Sequence, residues 1–339
     1  MRDLDEHQVT LSLAQVRELA QSCLRKCGAS EEHARTVADV VTSAERDDCK
    51  SHGLFRLPGF CASLRSGTVT GDAVPELQEV SPAVLQVNAH NGFAPLALEV
   101  GCAPLAAKAR TLGLAALAVT NSYHFSALWP EVERLTDIGL VAFAFVSSPS
   151  FVAPAGGKRP LYGTNPMAFG WPRAEAPAVI FDQASSASAR GEIQLHERDG
   201  RQLPDGWAIN AEGQPTNDPT AALAGAQLPF GGYKGAAIAM MIELLAGALI
   251  GDVLSFEASA SGGAPGGPAS GGEFMIAIDP ARCGQGPGVA LAHAESLFTE
   301  ILSEQGTRLP SDRRYAARRR TAQAGVTVNR ALHEELLRI

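Results

Sequence analysis

Several things are missing from this 339-residue chain, and each absence narrows its function. Basic residues are not in excess: 28 Lys and Arg stand against 36 Asp and Glu, a net charge of −8, which argues against nucleic acid as a partner. The six cysteines (Cys23, Cys27, Cys49, Cys61, Cys102 and Cys283) make no CxxC pair and no zinc-ligand spacing, so no metal is expected. The opening residues, MRDLDEHQVT, are charged and lack the apolar core of a secretory signal. The thiols are therefore expected to be reduced, in a cytoplasmic protein. No apolar run suits a membrane span: the longest, 235–250, contains Glu243 and reads as a buried helix. A P-loop is absent too. Gly284-Gln285-Gly286-Pro287-Gly288 follows a strand pattern and precedes a helix pattern, but it is G-x-G-x-G, is stiffened by Pro287, and is set off from the strand by Asp279–Cys283. A dinucleotide fingerprint needs its glycines at the strand–helix turn itself, so this is read as a loop.

What is present begins with helices. Ser12 and Gln15 form a capping-box pattern ahead of an apolar stripe that Gly28 ends. A second helix starts near Ser30, with Glu31 and Glu32 in its first turn, and a third spans about Pro58 to Arg65. From Ala83 the pattern changes. Strands are expected at 83–89, 114–120, 140–147, 167–170, 179–182 and 274–279, and helices at 95–112, 235–250, 289–304 and 332–337. The strands are separated mostly by turns, which suits a mixed or antiparallel α/β layer (an α+β arrangement) better than a βαβ repeat. Residues 261–272, SGGAPGGPASGG, read as a mobile loop.

The chemistry-bearing stretch is Ser51-His52-Gly53-Leu54-Phe55-Arg56, placed between two helices. His52 trades a proton near neutral pH, and Arg56 offers a planar fork that fits a carboxylate. A Ser/Gly turn with a surface His and Arg is the bland alternative. Gly231-Gly232-Tyr233-Lys234-Gly235 leads into a helix, a position that favours an anion, with a structural turn and a snorkelling lysine as the alternative. His124–Pro130 follows a strand end, where ligands dock in α/β layers, with a satisfied structural histidine as the plainer reading. Leu309–Tyr315 carries two arginines that suit a phosphate, with a solvated basic turn as the plainer reading.

Taken in order, Ser51–Arg56, Asn121-Ser-Tyr-His124-Phe125, Tyr162-Gly-Thr164-Asn165-Pro166, Phe181-Asp182, Arg190-Gly191, Gly213–Pro219 and Pro229–Gly235 resemble the type-2 malate/L-lactate dehydrogenase family almost end to end. Within it the chain is most similar to the Δ1-piperideine-2-carboxylate/Δ1-pyrroline-2-carboxylate reductases. The pointers are His-Phe-x-Ala-Leu-Trp-Pro at 124–130, Leu-Pro-x-Asp-Arg-Arg-Tyr at 309–315, and an acid at 192 where malate and lactate members are expected to carry Lys. The reductases carry Asp there; Glu192 is one methylene longer. The resemblance implies a non-Rossmann nicotinamide-dependent fold, with a helical substrate-side domain from 1–75 and 289–339 and an α/β cofactor domain over 76–288. It implies a relay of Ser51, His52 and Glu192, with Arg56 and Thr164 at the substrate. Cofactor contacts are implied at His124, Phe125, Ser126, Ala127 and Leu128, at Asp182, Gln183 and Ala184, at Arg190, Gly191 and Lys234, and at Leu309, Pro310, Ser311, Asp312, Arg313, Arg314 and Tyr315. A homodimer is implied as well.

The expected reaction is hydride transfer from NADPH, or NADH as second option, to C2 of a cyclic imino acid, giving L-proline or L-pipecolate. An imine accepts hydride well only when its nitrogen is protonated, so the site needs an acid, and His52 with a carboxylate behind it supplies one. On this reading Glu192 has to reach the His52 imidazole. A 2-keto acid differs only in having oxygen in place of nitrogen, so a malate, L-lactate or ureidoglycolate dehydrogenase is the alternative. A non-catalytic binding protein on an enzyme fold is the third reading.

Overall fold

A computed structural model of the chain describes residues 7–260, 267–284 and 286–339. Strand β1 (Gln8–Leu11) leads into α1 (Leu13–Lys26) and α2 (Glu31–Arg46); two 3-10 turns, Lys50–His52 and Leu54–Arg56, then join α3 (Leu57–Arg65). There follow β2 (Glu76–Ser81), β3 (Val84–Asn88), α4 (Ala94–Leu112), β4 (Leu114–Thr120), β5 (Tyr123–His124), α5 (Trp129–Thr136), β6 (Val141–Val146), β7 (Met167–Trp171), β8 (Val179–Gln183) and α6 (Arg190–Arg198). Then come β9 (Ala208–Ile209), β10 (Pro215–Thr216), α7 (Pro219–Ala224), β11 (Ala226–Gln227), α8 (Tyr233–Ala246), α9 (Ser255–Ala260), β12 (Ala269–Ser270) and β13 (Glu273–Ile278). The chain ends with α10 (Pro287–Ser303), α11 (Asp312–Ala324), β14 (Val326–Asn329) and α12 (Arg330–Arg338).

The local signals work as the residues dictate. Ser12 and Gln15 form the reciprocal capping box of α1. The Ser30 side chain accepts the His33 N–H at the start of α2, over a first turn holding Glu31 and Glu32. Seven strands form one sheet in the order β2-β3-β4-β13-β6-β7-β8. Its neighbours are antiparallel except β3 and β4, which run parallel and are joined by α4 as a crossover. One face buries Leu117, Val119, Ala142 and Met275 beneath α4 and α5. The other packs Phe145 and Phe274 against Ile242 and Ala246 of α8. The sheet thus keeps a helix layer on each side, and this accounts for its long apolar strands.

A second core, containing Val16, Leu24, Val37, Leu57 and Phe60, unites α1, α2 and α3 with β14 and α12. Strand β1 pairs antiparallel with β14, Gln8 opposite Asn329. The C-terminal segment does not stay together, however. Phe298 of α10 packs on Val179, with Trp171 and Ile301 beside it, so α10 joins the edge of the sheet and not the helical unit. Part of the glycine-rich stretch expected as a loop, 261–266, lies outside the described residues. Its end is a strand: Ala269 and Ser270 of β12 pair with His124 and Tyr123 of β5. Helix α8 stops at Gly247 and continues as a 3-10 turn, Ala248–Ile250. The stretch Tyr233–Ile250 is the one among the described residues with the length and apolarity of a membrane span; its inner face lies on the sheet and its Glu243 is buried.

Candidate active site

A cavity of about 540 Å³ opens between the two 3-10 turns, the start of α6, the loop after β4, and the segment that ends in β12. Ser51, His52, Arg56, His124, Phe125, Thr164, Arg190 and Gly191 all line it. The tight path of the first turns has a local cause. Buried Glu45 accepts the Leu54 N–H at 2.8 Å and lies where a side chain at Gly53 would stand, so only glycine lets the chain pass.

Arg56 is 6% exposed, donates Nε–H to the Ser51 carbonyl at 2.7 Å, and lies 4.0 Å over the Phe125 ring. No carboxylate pairs with it among the described residues. Burial pulls its pKa down to about 10, so it remains charged at neutral pH. A methyl group at Gly191 would sit 2.7 Å from Arg56 Nη2, so glycine there is what lets the guanidinium lie against the start of α6. A buried cation with spare donors is a site for a carboxylate.

His52 Nδ1 stands 3.0 Å from Ser51 Oγ and 3.5 Å from Cys49 Sγ, and its ring stacks on Phe125 at 5.7 Å. Burial first, then Arg56 and His124, push its pKa down to about 4. Without ligand the imidazole is neutral. Burial also pushes the Cys49 thiol up to about 11, so it is no thiolate nucleophile.

The expected relay forms only in part. Ser51 and His52 meet; Glu192 does not join them. Its side chain is 43% exposed and lies 3.5 Å from His196 Nδ1, one turn along α6. The reason is helical phase. Gly191 faces Arg56 and Ser51, so its successor, rotated about 100° around the axis, points away.

The residues expected at the cofactor divide similarly. Ala127 and Leu128 are buried in the sheet core, so that loop presents its backbone and the side chains of Phe125 and Ser126. Asp182 Oδ2 accepts the N–H groups of Leu128 (2.8 Å) and Trp129 (3.1 Å), where α5 begins; this carboxylate fixes the loop. Gln183 and Lys234 are exposed and do not line the cavity, nor does Ala184. Arg190 stacks 4.4 Å over Phe151 and donates to the Leu223 carbonyl at 3.0 Å. Leu309, Pro310, Asp312 and Tyr315 line a separate cavity of about 180 Å³ across β8, where Tyr315 Oη donates to the Ala178 carbonyl at 2.8 Å. Ser311 Oγ accepts the Ile180 N–H at 3.0 Å, Arg313 is exposed, and Arg314 lies 4.5 Å over Trp129.

Sequence reasoning missed one wall: Ser148, Pro149, Phe151, Ala258, Ser259 and the 267–270 segment. They come from the loop after β6, from α9 and from the segment ending in β12, and carry no chemical motif; only the stack of Phe151 under Arg190 and the glycine-rich composition of 261–272 mark them. Thr164 faces the cavity from a loop fixed on both sides. Its N–H donates to Ser148 Oγ at 3.0 Å, and buried Asn165, at φ +36°, donates Nδ2–H to Glu243 Oε1 at 2.7 Å.

A Δ1-pyrroline-2-carboxylate/Δ1-piperideine-2-carboxylate reductase of Pseudomonas aeruginosa is 53% identical, over 97% of this chain and 98% of that protein. A Δ1-pyrroline-2-carboxylate reductase of Ancylobacter novellus is 51% identical, over 98% and 97%. The crystal structure of Δ1-piperideine-2-carboxylate reductase from Pseudomonas syringae pv. tomato superposes with a TM-score of 0.93 at 42% identity, covering 97% of this chain and 99% of that one. A malate dehydrogenase from Entamoeba histolytica, 22% identical, shares the fold with a TM-score of 0.90. The malate/L-lactate dehydrogenase family model matches residues 11–337, and the chain belongs to that family.

Proposed function

We propose that this protein reduces the C=N bond of cyclic imino acids, Δ1-pyrroline-2-carboxylate to L-proline and Δ1-piperideine-2-carboxylate to L-pipecolate, with NADPH as cofactor. The observation that carries the reading is Arg56: a buried guanidinium that no carboxylate among the described residues pairs, beside Ser51 and His52, in a chain that matches such reductases over nearly its full length. Arg56 binds the ring carboxylate and Thr164 closes the opposite side. His52 and Ser51 handle the proton at the ring nitrogen. Binding prepares this step. An anion on Arg56 offsets the charge that, after burial, most depresses the His52 pKa, so proton affinity rises once substrate is seated.

A reduced nicotinamide nucleotide supplies the hydride when bound. The residues present fit it. Among the described residues Arg314 Nη1 is buried without a hydrogen-bond partner; Arg319 of the same helix lines the smaller cavity and Arg313 is exposed, a cationic setting that suits the 2′-phosphate of NADPH. The His124–Leu128 backbone and the Arg190–Gly191 turn flank the main cavity. A homodimer in the cytoplasm completes the reading. It is supported by exposed Met240 and Leu244 on α8, by Leu249 in the 3-10 turn that follows, and by six unpaired cysteines.

The test is turnover of the two cyclic imines against pyruvate, oxaloacetate and ureidoglycolate, with NADPH and NADH in turn. The imines with NADPH are expected to lead in kcat/KM. Faster reduction of a 2-keto acid would move the protein to the 2-hydroxy acid dehydrogenases. Light scattering of the eluted protein reads the assembly.

A further inference from the structure

His124 lines the main cavity, and behind its ring lie two acids that the chemistry above does not use. Nε2 is 3.0 Å from Glu131 Oε1, 3.5 Å from Glu273 Oε2 and 3.2 Å from Ser126 Oγ. The three groups come from β5, the first turn of α5, and the first residue of β13, the sheet's central strand. All are buried, Glu273 completely. Glu131 Oε2 and both oxygens of Glu273 have no hydrogen-bond partner among the described residues. The other charged or titratable groups facing the cluster are Asp182 from β8, Arg134 one turn along α5, Cys102 from α4, and His52 on the cavity side. Of these only Arg134 is a permanent cation, and it is exposed.

Two ionised carboxylates cannot stand this close in a dry interior without a cation between them; protons must take its place. Glu131 Oε2 and one of the Glu273 oxygens are then the two ends of an O–H···O bond. Burial raises the Glu131 pKa to about 7, and burial with Glu131 as neighbour holds Glu273 well above the ordinary carboxylate range. Burial lowers that of His124, so its ring is neutral and passes protons without storing them.

We propose that Glu131 and Glu273 form a proton store and that His124 relays one proton from it to the cavity, as a second acid for the imine reduction; this rests on the function proposed above. The O–H bond of Glu131 breaks as an N–H bond forms at His124 Nε2. The Nδ1–H bond breaks as an N–H bond forms at the substrate nitrogen, whose C2 receives the hydride. The proton left on Glu273 then bridges the pair, which carries one negative charge until solvent returns one H⁺ after product leaves. Glu131 and Glu273 act through His124 and are positioning residues.

An infrared pH titration of the NADPH-loaded protein tests the store without substrate. A protonated-carboxyl band is expected that fades as pH rises through about 7 and is missing from Glu131→Gln. Absence of that band in the unmodified protein, or one tightly held divalent ion per chain by elemental analysis, overturns the proposal. The kinetic arm uses Glu273→Leu. Glu273 keeps its proton and, as a hydrogen-bond donor, lowers the Glu131 pKa; without that donor the pKa rises, so the alkaline limb of kcat moves up by about one pH unit, with NADPH affinity unchanged. An unmoved limb overturns the relay. If no imine is turned over, the proposed function fails and the infrared result alone decides the store.

Discussion

Two histidines face one cavity and are held in opposite ways. Among the described residues, His52 has a hydroxyl, a thiol and an arginine around it and no carboxylate, whereas His124 has two carboxylates and no cation in contact. Burial lowers the proton affinity of both rings, but only His124 has a partner that keeps a proton nearby. The difference teaches that acid strength in this site is set by what arrives. His52 gains its proton when an anion covers Arg56, whereas the His124 cluster carries one before any ligand enters.

The largest way to break this comparison is His52→Ala. Loss of a general acid is expected to lower kcat by about 10²–10⁴-fold, measured in steady state with either imine. Activity within a factor of a few would assign the proton to His124 alone. Arg56→Ala comes next, with kcat/KM reduced by roughly 10–100-fold, mostly through KM, because a charge-assisted contact to the carboxylate is lost. Gly191→Ala drives a methyl group against Arg56 Nη2 and is expected to raise KM by about tenfold with little change in kcat. NMR titration of His52 sharpens the electrostatic side. Its midpoint should lie near 4 in the free protein, since its folded pKa is depressed, and should move upward with pyrrole-2-carboxylate on Arg56. A fixed midpoint would uncouple the two residues. The smallest effect is expected from Glu192→Gln. With its carboxylate on His196, turnover should change by less than about threefold, and a hundredfold loss would restore it to the relay.

Much of this molecule was legible in its residues. Caps, apolar periodicity and glycine stops marked α1, α2, α4 and the central strands. Ser51, His52, Arg56, His124, Thr164 and Arg190 were singled out and do converge on one cavity. What escaped notice had physical reasons. Strand β2 is polar and exposed along its length, so nothing in its pattern speaks of a sheet. Helix α11 carries five arginines and almost no apolar stripe; it is held by Arg318 against Asp47 and Glu133 and by Thr321 against the Arg46 carbonyl. The direction of Glu192 depended on a partner four residues along, which a family pattern does not encode. The pairing of Glu273 with His124 spans most of the α/β region and exists only because β13 is threaded into the middle of the sheet.

The pairing of β1 with β14 reaches further than its four residues. Lys50, next to Ser51, donates its Nζ to the Thr327 carbonyl at 2.9 Å, so the turn carrying the chemistry is fastened to a strand 277 residues further along. That turn is fully tethered only once β14 has been made and paired. A nascent chain stalled before residue 327 would already own its seven-stranded sheet yet lack this anchor.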